Sequence, residues 1–354
     1  MSEPGKLSVD ASVLPMVTIV MPVRNEARYI ASNLTAVLNQ DYPADRIEVL
    51  VADGRSTDGT QEIVQSLSAT SPTIRLIDNP GKIVAAGLNR AIALARGDVI
   101  VRLDGHCEYP KDYVRQVVAL RERTGAANAG GVLAPMGASY IQRAICAAYS
   151  SPAGVGGAAL RSRPESADVR EVDAVHGGCW RRDVLQAVGP FDEEMVRNQD
   201  DELSFRIRRK GGRIVQAAAI RVKYLVRDSW SKLFLQFVQY GYWKVWLVRK
   251  HPRQASLRHL APVSFVLLLL ASLTLAPLSR SAALIGLYAG SAYVTLIAIA
   301  ALFVAIRSSI WLWPGVIVAF LMMHLGYGLG SLIGVLRFLG VRLPTDAALS
   351  KLTR

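Results

Sequence analysis

Three acidic signals are spaced along one alternating pattern: Asp53 in VLVADGRSTDGT, Asp104 in VIVRLDGH and Asp200 in RNQDDELSFRIRRKGG. Asp53 and Asp104 close apolar, β-rich runs, whereas Asp200 opens a helical stretch. That pattern lets all three converge at one edge of a sheet, where ligands bind. Carboxylates gathered there can hold a hard divalent cation, which takes up the charge that builds on phosphate oxygens as a diphosphate departs. Asp104 is followed two residues later by His106, so one strand end offers an oxygen and a nitrogen ligand, a set that tolerates manganese as well as magnesium. Asp53 can accept a hydrogen bond from a nucleobase N–H or a ribose hydroxyl, and Gly54 beside it lets backbone approach the ligand. Asp200 is the candidate general base for an attacking hydroxyl, with Asp201 and Glu202 suited to favour a helix N-terminus. Asp58 or Thr57 is expected to cap the helix after Asp53.

The elements that must position these residues follow from periodicity. From residue 17 the text reads VTIVMPV, YIASNLTAVLNQ, IEVLVAD, TQEIVQSLSAT, TIRLID, VAAGLNRAIALA and VIVRLD, strand and helix in turn. Such alternation implies βαβ units and a mostly parallel sheet with helices on both faces, the α/β class. Residues 125–190 are rich in Gly, Ala and Ser and are expected to form loops and short strands; DELSFRIRRKGG reads as a helix stopped by Gly211 and Gly212. In residues 229–251, Trp230, Leu233, Phe234, Phe237, Val238, Gly241 and Val245 recur at three-to-four spacing, which predicts an amphipathic helix in a membrane interface. Residues 258–340 then carry apolar runs at 260–278, 282–306 and 310–336, each about 20 residues or longer and so able to cross a bilayer. The expected organisation is a tail at 1–15, the α/β domain at 16–228, the interface helix at 229–251, a transmembrane region of about three helices at 258–340, and a tail at 341–354.

The net charge of +13 comes from 41 basic and 28 acidic residues, and much of the excess lies between Arg206 and Arg258, just ahead of the apolar region. Cations there favour an anionic leaflet or a phosphate-bearing lipid. No helix-turn-helix, zinc-finger or single-strand-binding pattern accompanies the charge, so nucleic acid is not an expected partner. Cys107, Cys146 and Cys179 are odd in number and lack CxxC spacing, which argues against a disulfide framework and a structural zinc site. The opening MSEPGKLSVDASVLP lacks a basic start followed by an apolar core, so the first domain is expected to be cytosolic.

MPVRNEARYI, VLVADGRSTDGT, NPGKIVAAGLNRAIALARGD, RLDGHCEYP, GGCWRRDVLQAVGPFDE and NQDDELSFRIRRKGGR together resemble the inverting family 2 glycosyltransferases, which have the GT-A fold; the resemblance covers roughly residues 16–250. It implies that Pro22, Val23, Arg24, Asn25, Glu26 and Asp53 border the nucleoside, that Lys82 lies near the diphosphate, that Asp104 with His106 serves metal and diphosphate, and that Asp200 is the base. Gln239 and Trp243 in QYGYW are similar to the motif that positions the acceptor sugar in membrane-bound members. Two departures stand out: His106 replaces the second acid of DxD, leaving Mn2+ or Mg2+ open, and Gln199 replaces the usual Glu before Asp200. RLDGHCEYP, QYGYWK with RKHP, and the short apolar tail look most like the bacterial succinoglycan-type enzymes. That implies transfer of a single sugar from a nucleotide sugar, a UDP-sugar by family preference, to a polyprenyl-diphosphate-linked acceptor. The expected setting is the bacterial inner membrane, multi-pass, with a cytoplasmic catalytic domain. A processive polysaccharide synthase and a non-catalytic GT-A membrane scaffold remain as alternatives.

Overall fold

Strands β1 (Val17–Val23), β2 (Ile47–Asp53), β3 (Ile74–Asp78) and β4 (Val99–Arg102) lie parallel in the order β3-β2-β1-β4. The computed structural model describes residues 14–105, 107–155, 169–255, 257–341 and 349. Beyond β4 the sheet is extended by β5 (Cys107–Glu108), β6 (Asn128–Met136), β7 (Val169–Glu171), β8 (Cys179–Arg181) and β9 (Ile214–Leu225). Here the pairing turns antiparallel, β8 lying next to β4 and β5 and β7 both joined to β9. The sheet is therefore mixed, its parallel part being the stretch of strand-helix alternation and its antiparallel part drawing on the Gly- and Ala-rich region.

Helices α1 (Ala27–Leu38), α2 (Thr60–Thr70), α3 (Val84–Ala93), α4 (Tyr113–Thr124), α5 (Tyr140–Tyr149), α6 (Pro152–Val155), α7 (Arg182–Val188) and α8 (Gln199–Arg209) complete the first three-fifths of the chain. The two-residue period of the pleat sorts the core into two layers. Ile19, Met21, Val49, Val51 and Val101 pack with Ile30 and Leu34 of α1 and Val117 of α4. Val20, Leu50, Ala52 and Ile100 pack with Leu88 of α3 and with Leu203 and Ile207 of α8. Helix α8 stops as expected: Gly211 takes φ +82° and the Gly212 N–H bonds the Ile207 carbonyl at 3.0 Å.

The chain forms two compact units, Met1–Ala134 with Arg161–Leu225, and Pro135–Leu160 with Val226–Arg354. The sheet and α1–α4, α7 and α8 make the first. The second gathers α5 and α6, which the sequence partition had placed within the α/β domain, with α9 (Trp230–Lys250), α10 (Leu257–Leu275), α11 (Arg280–Ser308) and α12 (Trp313–Phe338). Arg280–Ser308 and Ile310–Phe338, 29 residues each, are long and apolar enough to cross a membrane, while Leu260–Leu275 is apolar but shorter. Leu296, Phe303 and Ile306 of α11 are exposed, as side chains facing lipid would be.

Helix α9 spends its apolar face on α12. A Cβ added at Gly326, Gly330 or Gly334 would meet the carbonyl oxygens of Phe234, Val238 and Tyr242 at 2.8, 1.9 and 3.1 Å. Each step is four residues in the same sense on both helices, so they run parallel with backbones nearly touching, the mode small residues allow in membrane helix pairs. On α9, Gly241 faces the Tyr327 carbonyl in the same way, a Cβ there falling 2.1 Å from its oxygen. Gly330→Ala is expected to destabilise this unit by about 1–3 kcal/mol through overpacking. Gly290→Ala, whose nearest neighbour would be Leu269 at 4.0 Å, should leave the thermal midpoint of the purified protein in place.

Candidate active site

Strand β4 ends in Arg102, a cation on an interior strand with β1 on one side and β8 on the other. Ile100 belongs to the α3/α8 layer, so Arg102, two residues on, projects from the same face. Helix α8 supplies its partner. Leu203 and Ile207 mark the buried stripe of α8, and Asp200 stands one turn before Leu203 on that stripe, directed at the sheet. Arg102 Nε lies 2.8 Å from Asp104 Oδ1 and Nη2 3.2 Å from Asp104 Oδ2, while Nη1 donates to Asp200 Oδ1. Two of the three sequence-selected carboxylates thus meet on one guanidinium. Its side chain is 5% exposed, that of Asp104 8% and that of Asp200 27%.

Burial pushes Asp200 up to about 6; Arg102 opposes the rise, and Asp104 and Asp201 add to it. Asp104 is held by backbone as well: its N–H donates to the Tyr109 hydroxyl at 2.8 Å, and the carbonyl of the next residue, Gly105, accepts from Asn33. His176 Nε2 lies 3.3 Å from Asp104 Oδ2 and 3.6 Å from Cys107 Sγ. His176 and Arg102 were not selected from the sequence. A lone Arg closing an apolar strand, and a His before the Gly177-Gly178 pair that takes positive φ, were the available signals. His106 lies outside the described residues.

Asp53 closes β2 in register with Val23 of β1 and Asp78 of β3. Its carboxylate is spoken for within its own loop: Oδ1 accepts from the Ser56 N–H at 2.8 Å and from Gln61 Nε2, and Oδ2 accepts from the Ser56 hydroxyl. A carboxylate has about four lone-pair sites, so three local donors leave one for a ligand. Asp58 bridges two helices, accepting from the N–H of Ala27, first residue of α1, at 3.0 Å and of Thr60, first residue of α2, at 3.1 Å. Pro22 and Val23 end β1; Arg24 packs its stem where a Cβ on Gly54 would sit, 3.2 Å away, and the Glu26 N–H donates to Thr60 Oγ1 at 2.8 Å. Asn25 and Lys82 have φ +55° and +58°, and with Arg55 and Asn198 they are the described non-glycine residues in the left-handed region. All four sit in loops that follow strands or lead into α8, and unfavourable backbone of this kind collects at functional sites. Lys82 is exposed beside its turn, whose Asn79 carbonyl accepts the Lys82 N–H at 3.0 Å.

Gln239 and Trp243 belong to the second unit. Gln239 is fully buried, and the Trp243 indole N–H donates to the Leu349 carbonyl at 3.2 Å. Cys107, Cys146 and Cys179 are free thiols, with Cys179 pushed up to about 12 by burial and so inert.

Residues 18–141 match the model of glycosyl transferase family 2. The succinoglycan biosynthesis protein ExoA of Rhizobium meliloti (strain 1021) is 33% identical over 248 residues, covering 70% of this chain and 74% of that protein. The dolichyl N-acetyl-alpha-D-glucosaminyl phosphate 3-beta-D-2,3-diacetamido-2,3-dideoxy-beta-D-glucuronosyltransferase of Methanococcus voltae is 25% identical over 241 residues, 66% of this chain and 74% of that one. The structure of the mannosyltransferase PcManGT from Pyrobaculum calidifontis, in complex with GDP-Man and Mn2+, superposes with a TM-score of 0.60 at 20% identity, covering 94% of this chain and 90% of that one. The chain belongs to glycosyl transferase family 2 and is a glycosyltransferase of GT-A fold. Asp53→Asn would turn one acceptor oxygen into a donor facing Ser56 or Gln61, and is expected to lower stability by about 1–3 kcal/mol. Thermal unfolding of the purified variant measures this.

Proposed function

We propose that this glycosyltransferase moves one sugar, with inversion, from a UDP-sugar to a polyprenyl-diphosphate-linked glycan. The catalytic domain would stand on the cytoplasmic side of the bacterial inner membrane, and helices of residues 258–340 would cross that membrane more than once. The observation that carries the reading is the meeting of Asp104 and Asp200 on Arg102 at the edge where the parallel strands end. Asp53 on β2 lies two strand spacings from β4, about 10 Å, the scale on which a nucleoside and its diphosphate extend. The nucleoside is accordingly assigned to Asp53 and to Pro22, Val23, Arg24, Asn25 and Glu26, and the diphosphate to Asp104 with Lys82.

A divalent cation, Mn2+ or Mg2+, fits the donor set. The Asp104 carboxylate supplies oxygen, and the His176 imidazole beside it adds nitrogen. His106 is the further ligand proposed. When bound, the cation supplies positive charge to the departing diphosphate. Asp200 takes the proton of the acceptor hydroxyl as that oxygen forms its bond to the anomeric carbon, and the fixed loops hold donor and acceptor in line.

A lipid-linked acceptor is supported by the apolar helices and by relatives whose names carry succinoglycan and a dolichyl phosphate. Arg249, stacked over Trp246 at 5.3 Å and Phe338 at 4.8 Å, is the cation-aromatic pairing expected where helices leave a bilayer. Gln239 and Trp243 are the proposed acceptor-side residues; with both buried, they would act by shaping α9 unless the Leu349 contact gives way.

Screening a panel of nucleotide sugars against lipid-linked oligosaccharide extract identifies the donor, and product length separates single addition from a processive ladder. Asp200→Asn should cut transfer by at least about 100-fold while nucleotide-sugar binding, measured by calorimetry, persists. Retained turnover would refute the base. Since Asp200 must be ionised to accept a proton, kcat/KM should rise with pH and level off above about 6. A profile flat down to pH of about 4.5 would contradict the assignment.

A further inference from the structure

Arg102 touches both site carboxylates, yet the reading above gives it no part in the transfer. Arg102 is conspicuous because β1 and β2, which end at the same edge, carry no cation at the corresponding place: β1 closes with Pro22-Val23 and β2 with Ala52-Asp53. Its guanidinium is a rigid planar fork, and its two edges are used differently. Nε and Nη2 grip both oxygens of Asp104 at 2.8 and 3.2 Å, and Nη1, on the opposite edge, donates to Asp200 Oδ1. Arg102 and Asp104 are nearly dry, whereas the Asp200 carboxylate is 27% exposed. Arg102 takes Oδ1 of Asp200, and no hydrogen bond to Oδ2 is found among the described residues.

We propose that Arg102 is a positioning residue for sugar transfer: anchored on the donor-side carboxylate, it holds Asp200 Oδ1 so that Oδ2 stands at a set place to receive the acceptor's proton. The proposal rests on Asp200 being the base. The step it serves balances as follows. The acceptor O–H gives its proton to Asp200 Oδ2, its oxygen bonds the anomeric carbon, and the bond from that carbon to the diphosphate breaks with its electron pair leaving on the diphosphate oxygen. A simple countercharge would need only a cation near two anions, and lysine would serve. A positioning plate needs three nitrogens in one plane, which lysine lacks. Asn198, immediately before α8, takes φ +62°.

The test uses the full-length protein in detergent with Arg102→Lys, Arg102→Met, Asp200→Asn and the double variant Arg102→Met/Asp200→Asn. UDP with MnCl2 is the binding probe, read by calorimetry. Transfer of radiolabel from the active UDP-sugar of the panel to lipid-linked oligosaccharide extract gives kcat. Arg102→Lys and Arg102→Met are each expected to lose about 100-fold in kcat, the scale of a misplacement of about 1 Å, while UDP affinity stays within about threefold of wild type. The double variant is expected to be no slower than Asp200→Asn alone, because the two residues act as one unit.

Three results overturn the proposal: Arg102→Lys within about threefold of wild-type kcat, losses in the double variant that multiply, or a folded Arg102→Lys that no longer binds UDP. Arg102→Lys, which keeps the charge and most of the volume, decides the matter should Arg102→Met fail to fold. Wild-type turnover in Asp200→Asn would instead remove the base, and so the reading on which this one rests.

Discussion

A guanidinium buried at the end of an interior strand must find anionic partners, because an unpaired charge in a poorly solvated site costs several kcal/mol. Arg102 meets that demand with one carboxylate from its own strand end and one from α8. Much of the local architecture follows from this constraint. The pleat puts Arg102 on the α8 face, and the buried stripe of α8 puts Asp200 toward the sheet. Glu202 shows the contrast: it turns to Arg206 at 2.6 Å, and that arginine ties the Val188 and Pro190 carbonyls to α8. Of the adjacent acids, Asp200 thus meets Arg102 while Glu202 pairs within α8.

Among the described residues, the non-glycine backbone in the left-handed region gathers in loops around the same edge. Asn25, Arg55, Lys82 and Asn198 adopt left-handed φ without being glycine, each at a cost of order 1 kcal/mol. The surrounding bonds explain how the strain persists. Asn25 is fixed at both ends, its N–H on the Ser56 hydroxyl at 2.8 Å and its side-chain oxygen on the Thr57 N–H at 2.9 Å. Because Ser56 also serves Asp53, the loops after β1 and β2 form one hydrogen-bonded piece. A ligand bordering either loop meets a surface already set, which lowers the ordering cost of binding.

The parallel half of the sheet was legible because each strand is an unbroken apolar run followed by a helix of clear period, and sequence-adjacent elements stay adjacent in space. Asp104 and Asp200, which meet on Arg102, stood out as acids at a strand end and a helix start, whereas Asp53, marked by the same pattern, is taken up within its own loop. The antiparallel half was not legible. Strands such as Val169–Glu171 and Cys179–Arg181 are three residues long, too short for a period of two to register, and β8 inserts beside β4 from 80 residues downstream. His176 was invisible for the same reason: it precedes β8, so its nearness to Asp104 depends on a pairing that local pattern does not encode.

The second unit shows a different kind of illegibility. The apolar face of α9 was readable, and an exposed amphipathic helix beside apolar runs suggests a membrane surface. What covers that face is α12, and the signal for it was the four-residue spacing of Gly326, Gly330 and Gly334. Such a stripe says that some helix approaches closely; it does not say which, because the complementary surface needs only backbone carbonyls, and every helix has those. Gly241 on α9 is the one residue type on the partner side that restricts the choice, since its own missing side chain admits the Tyr327 carbonyl. Gln239, two residues from Gly241, projects from nearly the opposite side of α9, so its complete burial has another source than the approach that admits the Tyr327 carbonyl.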